Sequence, residues 1–181
     1  MKKIIVLITA ILLIAAALSG CMGTETISAP AGAVPLANMP AIPPGLTAPE
    51  EIEGYTRIYS YSESSTLFTG DDGTIVLEYA IAPNAVSVMS AAISGGATDD
   101  FAAQYALRLD DGFDVSVMPF MGNTGLLITG MTVADPPESA VIAVLPYSDY
   151  FVIVYGFAPV SESAVIRAEV DTFILGFTVA S

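Results

Sequence analysis

Hydrophobic and polar positions fall into three regimes along the chain. Ile4 to Leu18 is an apolar run broken only by Thr9. Met22 to Pro49 shows no period at all: Pro30, Pro35, Pro40, Pro43, Pro44 and Pro49 are spaced by small residues, with Glu25 the one charge. After Glu50 regular patterns begin. Ile75, Leu77, Tyr79 and Ile81 alternate with Val76, Glu78 and Ala80, which predicts a half-buried strand over Thr74–Ala82. Gly70-Asp71-Asp72-Gly73 precedes it and Leu67-Phe68-Thr69 lies beyond, so a hairpin is expected with Asp-Gly at its tip.

Helical spacing follows. Val86, Met89 and Ile93 share a face of Asn84–Ser94, which predicts a short helix with Asn84 as N-cap and a strand as the alternative. Thr98 to Leu109 predicts a longer one. Thr98 would cap it, Asp99 and Asp100 suit the positive end of its dipole, and Phe101, Ala102, Tyr105, Ala106 and Leu109 form the inward stripe. Four strands are expected next, at Phe113–Phe120, Thr124–Val133, Ser139–Leu145 and Tyr150–Ala158, with connections short enough for an antiparallel meander. The last two are almost wholly apolar, which places them mid-sheet with both faces covered. A closing helix begins with Ser161 as cap and buries Ile166, Val170, Phe173, Ile174 and Phe177, while Arg167 and Asp171 can pair outside. These elements specify an α+β domain: an antiparallel sheet of about four to six strands with two to three packing helices, the last one C-terminal.

The first regime carries an address. Lys2 and Lys3 precede an apolar stretch too short to span a bilayer, and small residues follow it. Leu18-Ser19-Gly20-Cys21 resembles the lipobox of prokaryotic lipoproteins. The resemblance implies a lipid on Cys21 and cleavage before it. The expected organisation is a signal peptide over residues 1–20, a lipidated cysteine and Pro/Ala-rich stalk over 21–49, and one α+β domain over 50–181. Localisation on the extracytoplasmic face of a prokaryotic membrane follows, anchored there by the lipid.

Charge and absences narrow the chemistry. Beyond Cys21 lie nineteen acidic residues against only Arg57, Arg108 and Arg167, a net charge of −16 that repels phosphate backbones. Nucleic acid is therefore not an expected partner; an envelope protein is. Histidine is absent, lysine is confined to positions 2 and 3, and Cys21 is the sole cysteine. That removes Ser-His-Asp and Cys-His nucleophile systems, Schiff-base lysines and ordinary zinc sites. Paired carboxylates remain as the one hydrolytic alternative, and the chain is read as a non-enzymatic binding or accessory module. A second alternative is an acidic cation-binding envelope protein.

Two groups of residues are candidate sites. Asp110, Asp111 and Asp114 are expected at a helix C-terminus, where the dipole disfavours them and a hard cation such as Ca²⁺ would relieve the repulsion. Otherwise no cofactor is expected. Tyr55, Tyr59 and Tyr61, with Arg57, share a parity and would line one aromatic face if the chain is extended there. The globular part is loosely similar to the PsbP-like and DcrB-like group, whose members also end with a strand of the Tyr150–Phe157 kind followed by an amphipathic helix. That likeness implies an accessory or stabilising module and carries over no functional residue.

Overall fold

The computed structural model describes residues 42–62, 65–71, 73–83 and 86–179. The expected signal peptide, Cys21 and the expected stalk up to residue 41 lie outside the described residues. Chain order is β1 (Leu46–Thr47), β2 (Tyr55–Ser62), β3 (Ser65–Gly70), β4 (Val76–Pro83), α1 (Val86–Gly95), α2 (Thr98–Ala102), β5 (Asp114–Phe120), β6 (Asn123–Met131), β7 (Glu138–Tyr147), β8 (Tyr150–Pro159), α3 (Ser163–Leu175) and β9 (Thr178–Val179). Seven strands form one antiparallel sheet in the order β2-β3-β4-β8-β7-β6-β5, and β1 pairs with β9 as a separate two-stranded clip. The α+β class and the C-terminal helix agree with expectation. The sheet has more strands than the four to six expected, because Tyr55–Ser62 extends it at one edge.

Why β7 and β8 lie inside the sheet is plain from their side chains. Both are apolar at successive positions, and successive positions point to opposite faces. The first face carries Val141, Ala143, Leu145, Val152 and Val154, packed with Phe68, Leu77, Tyr79 and Ile81 beneath α3. The second carries Ile142, Val144, Phe151, Ile153 and Phe157, packed with Met89 of α1 and with Phe101, Ala102, Ala106 and Leu109. Each of these larger side chains contributes about 1.5–3 kcal/mol on burial. Sheet turns are tight. Met121 and Gly122 have φ of 47° and 81°, the left-handed pair that a two-residue hairpin between β5 and β6 requires.

Helix α3 sits on the sheet through Ile166, Val170, Phe173 and Ile174. It comes close because Gly156 of β8 offers no side chain beneath it. A Cβ there would overlap Val170 Cγ2 and stand 3.0 Å from Ile166 Cδ1. Phe173 meets Phe68 edge-on at 5.4 Å between centroids, and Phe177 meets Tyr79 at 5.3 Å.

Some local expectations are corrected. Thr98 is the first helical residue of α2 and not its cap, and Ala97 before it supplies no side-chain bond. The helix also ends at Ala102, well short of Leu109, though Ala106 and Leu109 are buried as expected. Beyond Ala102 the chain winds through irregular turns, because Leu109 bridges Thr132 and the Asp110 N–H bonds the Met131 carbonyl at 2.9 Å. Pairing with the end of β6 overrides the helical period. Ser161 is no cap either: it lies in a 3₁₀ turn over Val160–Glu162, and α3 starts after Glu162 without a side-chain cap bond. Glu162 Oε2 instead accepts from the Thr74 hydroxyl at 3.3 Å, tying the helix start to the approach of β4.

The packed part of the chain reaches back before Glu50. Leu46 and Ala48 are buried in the core beneath α3, and Ile42 packs against it. Pro49 lies beside Gly176, where an added Cβ would stand 3.0 Å from the proline Cβ.

Candidate functional site

Titratable groups with altered behaviour converge at one place, on the second face of the sheet. Alternation along β4 puts Glu78 opposite the face of Leu77 and Tyr79, in register with Leu67 of β3 and Tyr155 of β8. Glu78 keeps part of its surface in water, yet its carboxyl is raised above the ordinary glutamate range, chiefly by burial, with the positive charge of Arg108 opposing. Burial pushes the Tyr155 hydroxyl up to about 12; the charge of Glu78 adds to that and Arg108 counters it. Tyr105 is raised by burial as well. Arg108 holds its guanidinium 5.6 Å from the centroid of the Phe157 ring, and Phe157 stacks on Tyr155 at 6.4 Å with 8° between planes. The cluster can bind and release a proton at Glu78 while Tyr155 stays neutral.

This cluster is not visible in the strand pattern, which sets Glu78 with Val76 and Ala80 on one face of a half-buried strand. The available signal was a lone carboxylate inside an otherwise apolar alternating strand. Seeing its meaning required knowing that elements after β4 also cover the second face.

At the β2 edge lies an open concavity of about 500 Å³, lined by Glu50, Glu51, Ile52, Tyr55, Thr56, Arg57 and Phe68. The Tyr55 hydroxyl donates to Glu169 Oε2 at 3.0 Å, joining β2 to α3. Strand β2 carries register shifts between Arg57 and Tyr59 and between Ser60 and Ser62. Arg57 therefore pairs with Phe68 and Tyr59 with the adjacent Leu67. Each shift interrupts the alternation on which one continuous aromatic face depends. The side chains of Tyr59 and Tyr61 lie outside the described residues.

Asp110, Asp111 and Asp114 are exposed and do not follow a helix directly, so the dipole argument for a cation between them falls away. Asp110 Oδ1 accepts from the Gly112 N–H at 3.1 Å, a local turn bond. Asp110 and Asp114 do border a second open concavity, of about 360 Å³, shared with Ser139, Ile166 and Arg167. Arg167 Nε is 2.9 Å from Asp171 Oδ2, the i,i+4 pair expected on α3. Among the described residues no three acidic, histidine or cysteine side chains are grouped so as to hold a metal ion. None of the described helices is long and apolar enough to cross a membrane.

No protein-family pattern matches the sequence, and no curated protein is similar to it. Solved structures are. The solution structure of cyanobacterial PsbP (CyanoP) from Synechocystis sp. PCC 6803 superimposes with a TM-score of 0.51 at 11% identity, over 91% of this chain and 99% of that one. The Ran-binding protein Mog1p of Saccharomyces cerevisiae aligns at a TM-score of 0.49 and 10% identity, over 75% of this chain and 90% of that one. At such identities the likeness concerns the backbone alone: the antiparallel sheet with its closing helix is a PsbP-like fold.

Proposed function

We propose that this chain is a lipid-anchored, extracytoplasmic module of a prokaryotic cell envelope that acts by binding and not by catalysis. Leu18-Ser19-Gly20-Cys21, a full lipobox ending at the sole cysteine, is the observation that carries the anchoring. Two acyl chains or more on that residue would hold the protein stably at a membrane. Binding is supported by the sequence inventory, which lacks histidine throughout and lysine after position 3, and by the likeness in fold to cyanobacterial PsbP. The concavity beside Tyr55 and Arg57 is the contact surface we assign to a protein partner, because it combines aromatic and charged groups at one edge of the sheet.

Mass spectrometry of the processed N-terminus tests the anchor. A lipid-modified Cys21 as first residue is expected, and Cys21→Ala should release the protein from membranes. An unmodified cysteine would end the reading. A photo-crosslinker at Thr56 should trap a defined partner in native membranes, whereas one at Ser116, on the opposite sheet edge, should not. Equal yields from both positions would remove the assigned surface while leaving the anchor standing.

A further inference from the structure

The concavity at the β2 edge has an acidic wall on a fixed frame. Glu50 and Glu51, both exposed, stand between two packed residues: Pro49 lies beside Gly176 after α3, and Ile52 packs on the first-face core. The Ile52 carbonyl accepts from the Tyr55 N–H at 3.1 Å, and the Gly54 carbonyl from the Asp71 N–H at 3.0 Å. Both ends of this short bridge are held, so little order has to be gained when something docks there. Ile52, Phe68 and Tyr55, the last tied to Glu169 through its hydroxyl, form the apolar part of the concavity.

Charge around this place is one-sided. Glu50 and Glu51 line it, Glu53 follows in the next turn, and Glu169 and Asp71 bond its residues Tyr55 and Thr56, with Arg57 as the cation among the lining side chains. Of the other two arginines after Cys21, Arg167 is engaged by Asp171 and Arg108 lies with Phe157 on the second face. Such a wall repels anionic head groups and a second copy of this chain, which carries the same excess of carboxylates. The two register shifts in β2 impede addition of a further strand at this edge, so side chains and not backbone carry recognition.

We infer that this surface takes a basic segment of its protein partner: a lysine or arginine lays its aliphatic stem along Ile52 and Tyr55 and sets its charge against Glu50 and Glu51. Long basic side chains cover apolar surface in this way while their charged ends stay among polar groups. Arg57, on β2, turns away a second cation and so fixes the register of the segment. This chemistry rests on the partner surface assigned above and would fall with it, but that surface would survive the loss of the chemistry.

Photo-crosslinking from Thr56 of the full-length protein in native membranes, followed by mass spectrometry of the trapped peptide, provides the test. The trapped segment should belong to another protein and carry lysine or arginine next to the crosslinked residue. Charge reversal by Glu50→Lys with Glu51→Lys should cut the yield about tenfold, since rim charges act through local attraction and encounter rate. Asp111→Lys with Asp114→Lys, two exposed positions at the opposite edge of the sheet, gives the same net charge and should leave the yield unchanged. Added salt should weaken trapping by the native protein more than by the Glu50→Lys, Glu51→Lys variant. Equal yields from the two charge-reversed proteins, or an acidic trapped segment, would overturn the basic partner and leave the assigned surface standing. A trapped lipid, a second copy of this chain or no product at all would overturn both.

Discussion

The close seat of α3 on β8 allows a quantitative test at Gly156. Replacing it with alanine puts a methyl group where Val170 Cγ2 already lies and 3.0 Å from Ile166 Cδ1. Val170 and Ile166 are both fully buried, so neither can swing away without disturbing the core. Overpacking of this kind costs about 1–3 kcal/mol. Alanine also restricts the unfolded chain, which returns roughly 0.4–1 kcal/mol. A net loss of about 1–2 kcal/mol should remain, visible as a fall in Tm of several degrees. Val170→Ala removes the obstructing methyls instead, and costs about 2 kcal/mol through lost burial and the cavity left behind. In the double variant the new methyl occupies the vacated space. Its loss should therefore stay near 2 kcal/mol or below, instead of the 3–4 kcal/mol roughly expected if the single effects added. Urea unfolding followed by far-ultraviolet circular dichroism gives all three values. Additivity within ~0.5 kcal/mol would refute the packing geometry inferred at this contact.

Two further outcomes are expected. Because the carboxyl of Glu78 is raised in the folded protein, that state holds a proton the unfolded chain has released. Glu78 therefore lowers stability as pH rises from the ordinary glutamate value of 4.5 through its own folded value. Glu78→Gln should flatten that part of the pH–stability curve and raise stability at neutral pH; an unchanged slope would show that Glu78 is well solvated. Limited proteolysis should leave a resistant fragment that begins at or before Ile42 rather than near Glu50, since Leu46 and Ala48 are core residues. N-terminal sequencing that finds efficient cleavage between Leu46 and Pro49 would contradict their burial.

What could be read from the sequence was whatever depended on neighbours close in the chain. Gly70-Asp71-Asp72-Gly73 marked its hairpin because Gly73, at φ 76°, is needed for the turn. The doubly apolar run of β7 and β8 announced strands covered on both sides, and the stripe on α3 predicted its buried residues one by one. Failures came where distant contacts decide. The period through Tyr105 and Leu109 suggested one long helix, yet pairing with Thr132 and Met131 bent that stretch into turns. Ser161 and Thr98 had the chemistry of caps, but local hydrogen-bond preference did not set the helix starts. Glu78 shared a face with Val76 and Ala80 in a half-buried alternation, and one strand cannot reveal what lands on its far face. For the aromatic stripe of β2, parity holds only while the register does, and bulges leave no clear signature in side-chain type.

The central hairpin of β7 and β8 has a consequence away from the native state. Val141-Ile142-Ala143-Val144-Leu145 and Phe151-Val152-Ile153-Val154-Tyr155 are short, uncharged, β-prone segments free of proline. In the folded protein they are walled in by β4 and β6 at their edges and by helices on both faces. In an unfolded chain the same segments are templates for pairing with other copies. Self-association then competes with refolding, and destabilised variants should be lost as aggregates sooner than as soluble unfolded protein. The surplus of carboxylates opposes that fate by keeping copies apart, so added salt should hasten precipitation of unfolded chains while leaving the native sheet unaffected.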